Sequence, residues 1–180
     1  MIKVIKPGFF TSVQDHGRFG YRNIGIPYSG FMDYHNASLA NSIVGNHLNE
    51  SLIEITLSGP KLLFNKNYTI SITGGNFNPL INKKSIKMFN AVNVNRGDIL
   101  NMGHTNDGAR SYISISGGIN CESFLGSKSS YVQLTNSRLK KGDEIIISDD
   151  KTVRQLTKGK YRFNLNTSIN VFKGPEFEIL

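Results

Sequence analysis

The chain has 180 residues, with 21 Lys+Arg against 13 Asp+Glu and a formal net charge of +8, a sequence pI near 9.6 and a mean hydropathy of -0.25. The 38% hydrophobic and 10% aromatic content supplies a packed core and excludes wholesale disorder. No window approaches the roughly 20 consecutive apolar residues of a membrane-spanning helix. The basic residues are scattered, Lys83-Lys84 and Lys140-Lys141 being the densest pairs, so the charge predicts no nucleic-acid partner, which needs clustered cations.

The first eight residues read as a short strand and a turn, without the apolar core and small-residue cleavage site of a signal peptide, which places the chain in the cytoplasm. Residues 11–33 then interleave amide, carboxylate, imidazole, guanidinium and hydroxyl groups with glycines. Such a loop can offer backbone N–H groups and the Arg18 fork to a carboxylate or phosphate. On chemistry alone the favoured reading is a glycine-rich surface loop held by an Asp15–Arg18 ion pair. From 32 to 44 the apolar residues Ala37, Leu39, Ala40, Ile43 and Val44 recur at helical spacing, with Asp33 suited to cap the start and Gly45 to end it.

Most of the remaining chain alternates apolar and polar residues in short runs separated by Gly, Asn, Asp and Pro. Strands are predicted at 3–5, 52–57, 61–64, 68–73, 86–94, 99–102, 111–116, 144–148 and 169–172. Many short strands with regular turns argue for a mainly β barrel or sandwich. Arg96-Gly97-Asp98 and Lys141-Gly142-Asp143 are each a tight turn feeding an apolar strand. Asp107-Gly108-Ala109-Arg110 reads as a turn that sets Arg110 at a strand mouth, where a buried position would demand a partner. Gly117-Gly118 reads as a turn or bulge.

Cys121 is the single cysteine, which excludes an intramolecular disulfide and a Cys-based zinc cage. Leu125-Gly126-Ser127-Lys128-Ser129-Ser130-Tyr131 brings hydroxyls and a lysine after a glycine but lacks the spacing of a phosphate loop. No dinucleotide-binding glycine pattern is present. His16, His35, His47 and His104 show no metal-ligand spacing, and no metal site is expected. A Ser/His/Asp relay drawn from Ser29, His16 or His35, and Asp15 or Asp33 lacks the G-x-S-x-G elbow.

Three of these segments share one resemblance. Residues 11–33, read as T-x-x-Q-D-x-G-R-x-G-Y-x-x-x-G-I-x-x-S-G-x-M-D, are followed by Leu39-Ala40-Asn41 and Val44-Gly45-Asn46. They closely resemble the N-terminal signature of the KipA or allophanate hydrolase subunit 2 family, also called the biotin-dependent carboxyltransferase family, whose members include the C subunit of 5-oxoprolinase. The match continues through Leu52-Ile53-Glu54-Ile55-Thr56-Leu57, Gly59-Pro60, Gly108, Arg110, Tyr112, Gly117-Gly118-Ile119 and Leu125-Gly126-Ser127-x-Ser129. One departure falls in Gln133-Leu134-Thr135-Asn136-Ser137-Arg138-Leu139, which keeps the family's arginine and lacks its glycines.

The resemblance implies a cyclophilin-like β-barrel architecture and a KipI-like partner protein. The activities it implies are ATP-dependent cleavage of 5-oxoproline to glutamate, carboxyl transfer from biotin to urea, or antagonism of a KipI-type kinase inhibitor. All three share a small anionic or amide ligand. Motif position and chemistry together nominate Arg18 and Arg110 for charge neutralisation, and Gln14 and Ser29 for hydrogen bonds to substrate. They nominate Asp15 or Asp33 for proton transfer or orientation, and Ser127 and Ser129 as further substrate contacts. The family continues past the Gly174-Pro175 turn, so residues 1–170 are expected to form the N-terminal β domain and 171–180 to begin a second.

Overall fold

The computed structural model describes residues 1–131, 135 and 137–148. The strand expected at 169–172 and the boundary expected near residue 170 lie outside the described residues, as do Gln133, Leu134 and Asn136.

The described chain is mainly β with one α-helix, and its strands form two antiparallel sheets. In the first, β1 (Ile2–Lys6) buries Ile2 and Val4 and exposes Lys3 between them, the period of two that a half-buried strand imposes, until a register shift after Val4 leaves Lys6 exposed. It pairs with β4 (Lys61–Phe64) on one side and β12 (Glu144–Ile147) on the other. β11 (Ile119–Asn120) lies beyond β12, and β9 (Ile99–Asn101), β6 (Leu80–Ile81) and β7 (Lys84–Ser85) follow β4. The second sheet runs β2 (Phe10–Gln14), β3 (Leu52–Thr56), β10 (Asp107–Ile115), β5 (Tyr68–Asn76), β8 (Val92–Val94). The barrel-like architecture thus takes the form of two open sheets around a shared core.

The core is built from the strands' alternate residues. Ile53 and Ile55 of β3, Ile70 and Ile72 of β5, and Ile113 and Ile115 of β10 meet Ile2, Val4, Leu62, Phe64 and Leu100 of the first sheet. Each such side chain contributes about 1.5–3 kcal/mol on burial. The other face of the second sheet carries Ser12 and Gln14, Glu54, Tyr112, Ser71 and Thr73, and these are buried too.

Part of that polar face is covered by α1 (Tyr34–Ile43), within the predicted span. Asp33 caps it, its carboxylate accepting from the Asn36 N–H at 3.0 Å and from Asn36 Nδ2 at 2.6 Å. Ala37 and Ala40 are small enough to let the helix sit close to the sheet. Ser71 then donates to the Ala40 carbonyl at 2.6 Å and Thr73 to the Asn36 carbonyl at 2.7 Å, while Ser114 donates to Asn41 Oδ1 at 2.6 Å.

Three sequence expectations need correction. Residues 10–14 belong to strand β2, paired from Phe10↔Thr56 to Gln14↔Leu52, so the glycine-rich loop begins after Gln14. The expected strand at 86–94 survives only as β8, because Phe89 takes a left-handed φ of 58° and its N–H turns to the Ile72 carbonyl. Asp107–Arg110 is part of β10, and its irregularity is a register shift against β5 between Asp107 and Ser111. The turns at Gly97-Asp98 and Gly142-Asp143 form as expected, closed by Asp98 N–H to the Asn95 carbonyl and Asp143 N–H to the Lys140 carbonyl.

Candidate functional site

Five of the eight nominated residues meet in one network, four of them buried (Asp15, Arg18, Ser127 and Ser129) and the fifth, Ser29, exposed. Asp15 follows directly after β2 and is only 6% exposed. Its Oδ1 accepts from the Gly17 N–H at 2.8 Å, Ser127 Oγ at 2.6 Å and Ser129 Oγ at 2.5 Å, and its Oδ2 accepts from the Lys128 N–H at 2.6 Å. Burial by itself pushes the carboxyl up, but the hydrogen bonds from Ser127, Ser129, Lys128 and Gly17 outweigh it and hold Asp15 below its ordinary value. Ser127 and Ser129 are delivered by a tight turn, Phe124 and Ser127 exchanging backbone hydrogen bonds across Leu125 and Gly126, both at positive φ.

Arg18 lies beside this carboxylate without pairing to it. The expected Asp15–Arg18 ion pair does not form, because four other donors fill the acceptor sites of Asp15. The guanidinium, 1% exposed, instead donates to the Ser129 carbonyl at 2.7 Å, Ser29 Oγ at 2.9 Å and the Phe124 carbonyl at 3.4 Å. It stands 5.6 Å from the Tyr131 ring centre and 6.0 Å from that of Phe124. All its contacts among the described residues are neutral, so Arg18 works as a brace between the 16–33 loop and the 124–131 turn. The loop closes on itself at two glycines. A Cβ at Gly17 (φ +95) would lie 2.7 Å from the Tyr28 carbonyl oxygen, and one at Gly30 (φ +92) would lie 2.9 Å from the His16 carbonyl carbon.

The second group stands on the polar face of the five-stranded sheet. Arg110 of β10 donates through Nη1 to Glu54 Oε1 at 2.7 Å and Thr56 Oγ1 at 2.8 Å, both on neighbouring β3. Its side chain is 31% exposed against 5% for Glu54. Its Nε and Nη2 carry no hydrogen bond among the described residues. Glu54 Oε2 accepts the Met32 N–H at 2.8 Å, and the Tyr112 hydroxyl accepts the Asp33 N–H at 2.7 Å. Burial first, then the Glu54 carboxylate, pushes the Tyr112 hydroxyl far above the ordinary tyrosine range.

The 28–33 segment is therefore stapled to both groups. Arg18 N–H bonds the Tyr28 carbonyl and Arg18 Nη1 bonds Ser29, while Phe31 N–H bonds the Asp15 carbonyl, Met32 N–H bonds Glu54 and Asp33 N–H bonds Tyr112. Asp33 spends its own carboxylate on the helix cap. Gln14 stays apart, bonding Ser12 Oγ at 3.0 Å and leaving its buried Oε1 without a partner among the described residues. Glu54 and Tyr112 were not nominated from sequence, although Glu54 interrupts an otherwise apolar strand, the signal that could have singled it out. Lys128 reaches the other way, to Glu50 at 3.1 Å and the Ile119 carbonyl at 2.8 Å.

The chemistry of the two groups differs. The Asp15 network is closed: four donors fill its carboxylate, and all three kinds of guanidinium nitrogen of the buried Arg18 are bound to protein oxygens. The Arg110 group is open, a guanidinium held through Nη1 by Glu54 and Thr56, with Nε and Nη2 free of hydrogen bonds among the described residues and the side chain 31% exposed, a donor set that can take a carboxylate or another planar oxyanion.

The fold is thus an open two-sheet β domain with one helix, and Arg110 is held by Glu54 and Thr56 on its polar face. A family model described as carboxyltransferase domain, subdomain A and B, matches residues 24–180, and the chain belongs to that family. It is 46% identical over 130 residues to a urea amidolyase of Lachancea kluyveri, covering 72% of this chain and 7% of that protein. It is 29% identical over 182 residues to the C subunit of the 5-oxoprolinase of Escherichia coli (strain K12), covering 98% of this chain and 59% of that protein. The crystal structure of the K. lactis urea amidolyase superposes with a TM-score of 0.79 at 38% identity, over 90% of this chain and 10% of that one. The chain thus spans 59% of the 5-oxoprolinase protein and 7% of the urea amidolyase. No described helix is long and apolar enough to cross a membrane.

Proposed function

We propose that this chain serves as the counterpart of the C subunit in an ATP-dependent 5-oxoprolinase, working in the cytoplasm with a KipI-like partner protein. The observation that carries the reading is the open edge of Arg110. 5-Oxoproline bears a carboxylate that a fixed guanidinium can take in two parallel hydrogen bonds, whereas urea bears none. Glu54 and Thr56, by binding Nη1, hold the guanidinium in place before substrate arrives, so little orientation entropy is lost on binding. The match to the E. coli protein along 98% of this chain supports the same reading.

In this reading Arg110 anchors the substrate carboxylate, and Glu54 fixes Arg110. The Met32 and Asp33 amides, tied to Glu54 and Tyr112, keep the loop wall in place. ATP supplies the driving force for opening the lactam within the complex. Asp15, Arg18, Ser127 and Ser129 act by building the loop rather than by touching substrate, while Ser29 and Asp33 contribute through Arg18 and the helix cap.

A second reading, carboxyl transfer from biotin to urea or a related amide, is favoured by one observation, the 46% identity to a urea amidolyase. Co-purification with a KipI-like partner and a lactam hydrolase protein, followed by assay of 5-oxoproline-dependent ATP hydrolysis, separates the two. Arg110→Gln is expected to lower kcat/KM for 5-oxoproline by about 10²-fold, the scale of losing a preorganised donor pair. Unchanged turnover in that variant overturns the role of Arg110. Turnover with urea and a biotin carrier, but not with 5-oxoproline, replaces the first reading with the second.

A further inference from the structure

The open end of the β5–β10 pair carries a cleft that the proposed activity does not use. It has a volume of about 320 Å³, and its lining includes Asn76, Asn78, Ser85, Met88, Phe89 and Asp107. Its shape is set by the backbone. Where β10 shifts register against β5, Gly74 (φ +85) approaches so closely that a Cβ there would lie 2.6 Å from the Arg110 carbonyl oxygen. The bulge sends Arg110 toward Glu54 and leaves Asp107 on the cleft. Two further lining residues hold left-handed conformations, Asn78 at φ 48° and Phe89 at φ 58°. Each is fixed there by a hydrogen bond, Asn78 N–H to Asn76 Oδ1 at 2.9 Å and Phe89 N–H to the Ile72 carbonyl at 2.8 Å. An aromatic residue in that region is uncommon and persists only where its surroundings enforce it.

The lining has a definite charge. Asp107 is bound through its backbone to Thr105, and its carboxylate accepts no hydrogen bond among the described residues. No lysine or arginine lines the cleft, although the chain as a whole carries +8. One carboxylate, the amide oxygen of Asn78, an aromatic ring and a thioether together suit an organic cation that donates N–H bonds at one end and is apolar at the other. A divalent metal ion needs more oxyanions than this lining holds, and no cluster of three metal-binding side chains exists among the described residues.

We propose that this cleft binds a small primary ammonium, its N–H groups donating to the carboxylate of Asp107 and the side-chain oxygen of Asn78, its alkyl part lying against Met88 and Phe89. This site is separate from Arg110 and stands whether or not the oxoprolinase reading does.

The test is a titration of the ¹⁵N-labelled full chain with n-propylammonium chloride, followed by amide NMR at constant ionic strength, with n-propanol and sodium propionate as neutral and anionic controls. Saturable shifts at Gly74, Asn76, Asn78 and Phe89 are expected with the ammonium and with neither control. Asp107→Asn is expected to weaken binding at least tenfold while its spectrum remains that of a folded chain. Ser85→Lys, which sets a positive charge on an exposed rim position, is expected to do the same without touching the bulge. Absence of saturable shifts, equal response to n-propanol, or wild-type affinity in Ser85→Lys or in a folded Asp107→Asn overturns the proposal.

Discussion

Asp15→Ala tests whether the saturated carboxylate is the keystone of the loop. The substitution removes the acceptor of four hydrogen bonds at once, those from the Ser127 and Ser129 hydroxyls and from the N–H groups of Gly17 and Lys128. The hydroxyls can rotate toward other acceptors; the two backbone N–H groups cannot. A buried donor left unpaired costs about 1–3 kcal/mol, so the two together cost about 2–6 kcal/mol. That is a large share of the roughly 5–15 kcal/mol that holds a domain together. With a urea slope of about 2 kcal/mol/M, the unfolding midpoint should fall by about 1–3 M. Ser127→Ala and Ser129→Ala each remove one charge-assisted bond and should each cost about 1.5–3 kcal/mol. Because both share one carboxylate, the Asp15→Asn, Ser127→Ala pair should cost less than the sum of its members. A midpoint for Asp15→Ala within about 0.3 M of wild type, at unchanged slope, would refute the reasoning and make the carboxylate a candidate reagent again.

Gly30→Ala adds a Cβ 2.9 Å from the His16 carbonyl carbon at φ +92, and a thermal melt should show a loss of about 1–3 kcal/mol. The folded chain holds both Asp15 and Glu50 below their ordinary values of 3.8 and 4.5. Folding therefore releases protons from these groups, and their contribution is complete above those values and lost as pH falls through the lower folded ones. Tm should accordingly drop between about pH 5 and pH 2, and the drop should shrink in Ser127→Ala, where the hold on Asp15 is weaker. For Tyr112, whose hydroxyl is pushed far up, ultraviolet titration of the folded chain should show no ionisation of this residue at about pH 11, above the ordinary value near 10, so that the folded wild type and Tyr112→Phe gain the same phenolate signal up to that pH.

Much of the fold was legible because it rests on local patterns. Period-two runs marked β1, β3, β4, β5, β9 and β12 to within a few residues, and the Asp33 cap with Ala37 and Ala40 marked the helix. β2 was hidden because Ser12, Gln14 and Thr11 are polar on both faces, and the reason they are buried, a second layer over the sheet's polar face, is a tertiary fact. The site was legible as a set of motifs but not as a division of labour. Asp15 and Arg18 stand three apart and carry opposite charge, which invites a pair between them. The pairing was decided by Ser127, Ser129 and Lys128, more than a hundred residues away in sequence. No local reading could rank those competitors.

What separates the two arginines of this domain is spare hydrogen-bonding capacity. Arg18 and Arg110 stand in the same family signature, yet Arg18 is 1% exposed with both Nη atoms and Nε bound to protein oxygens, while Arg110 uses Nη1 alone. A substrate oxyanion reaching Arg18 would have to displace the Ser129 carbonyl, the Ser29 hydroxyl and the Phe124 carbonyl from a guanidinium that is itself buried. At Arg110 it meets Nε and Nη2, which carry no hydrogen bond among the described residues. Glu54 does not cancel this advantage: one carboxylate on one edge fixes the direction of the fork, and the remaining N–H groups keep both their geometry and their positive charge. Replacing Arg18 should therefore act first on stability, and replacing Arg110 first on turnover.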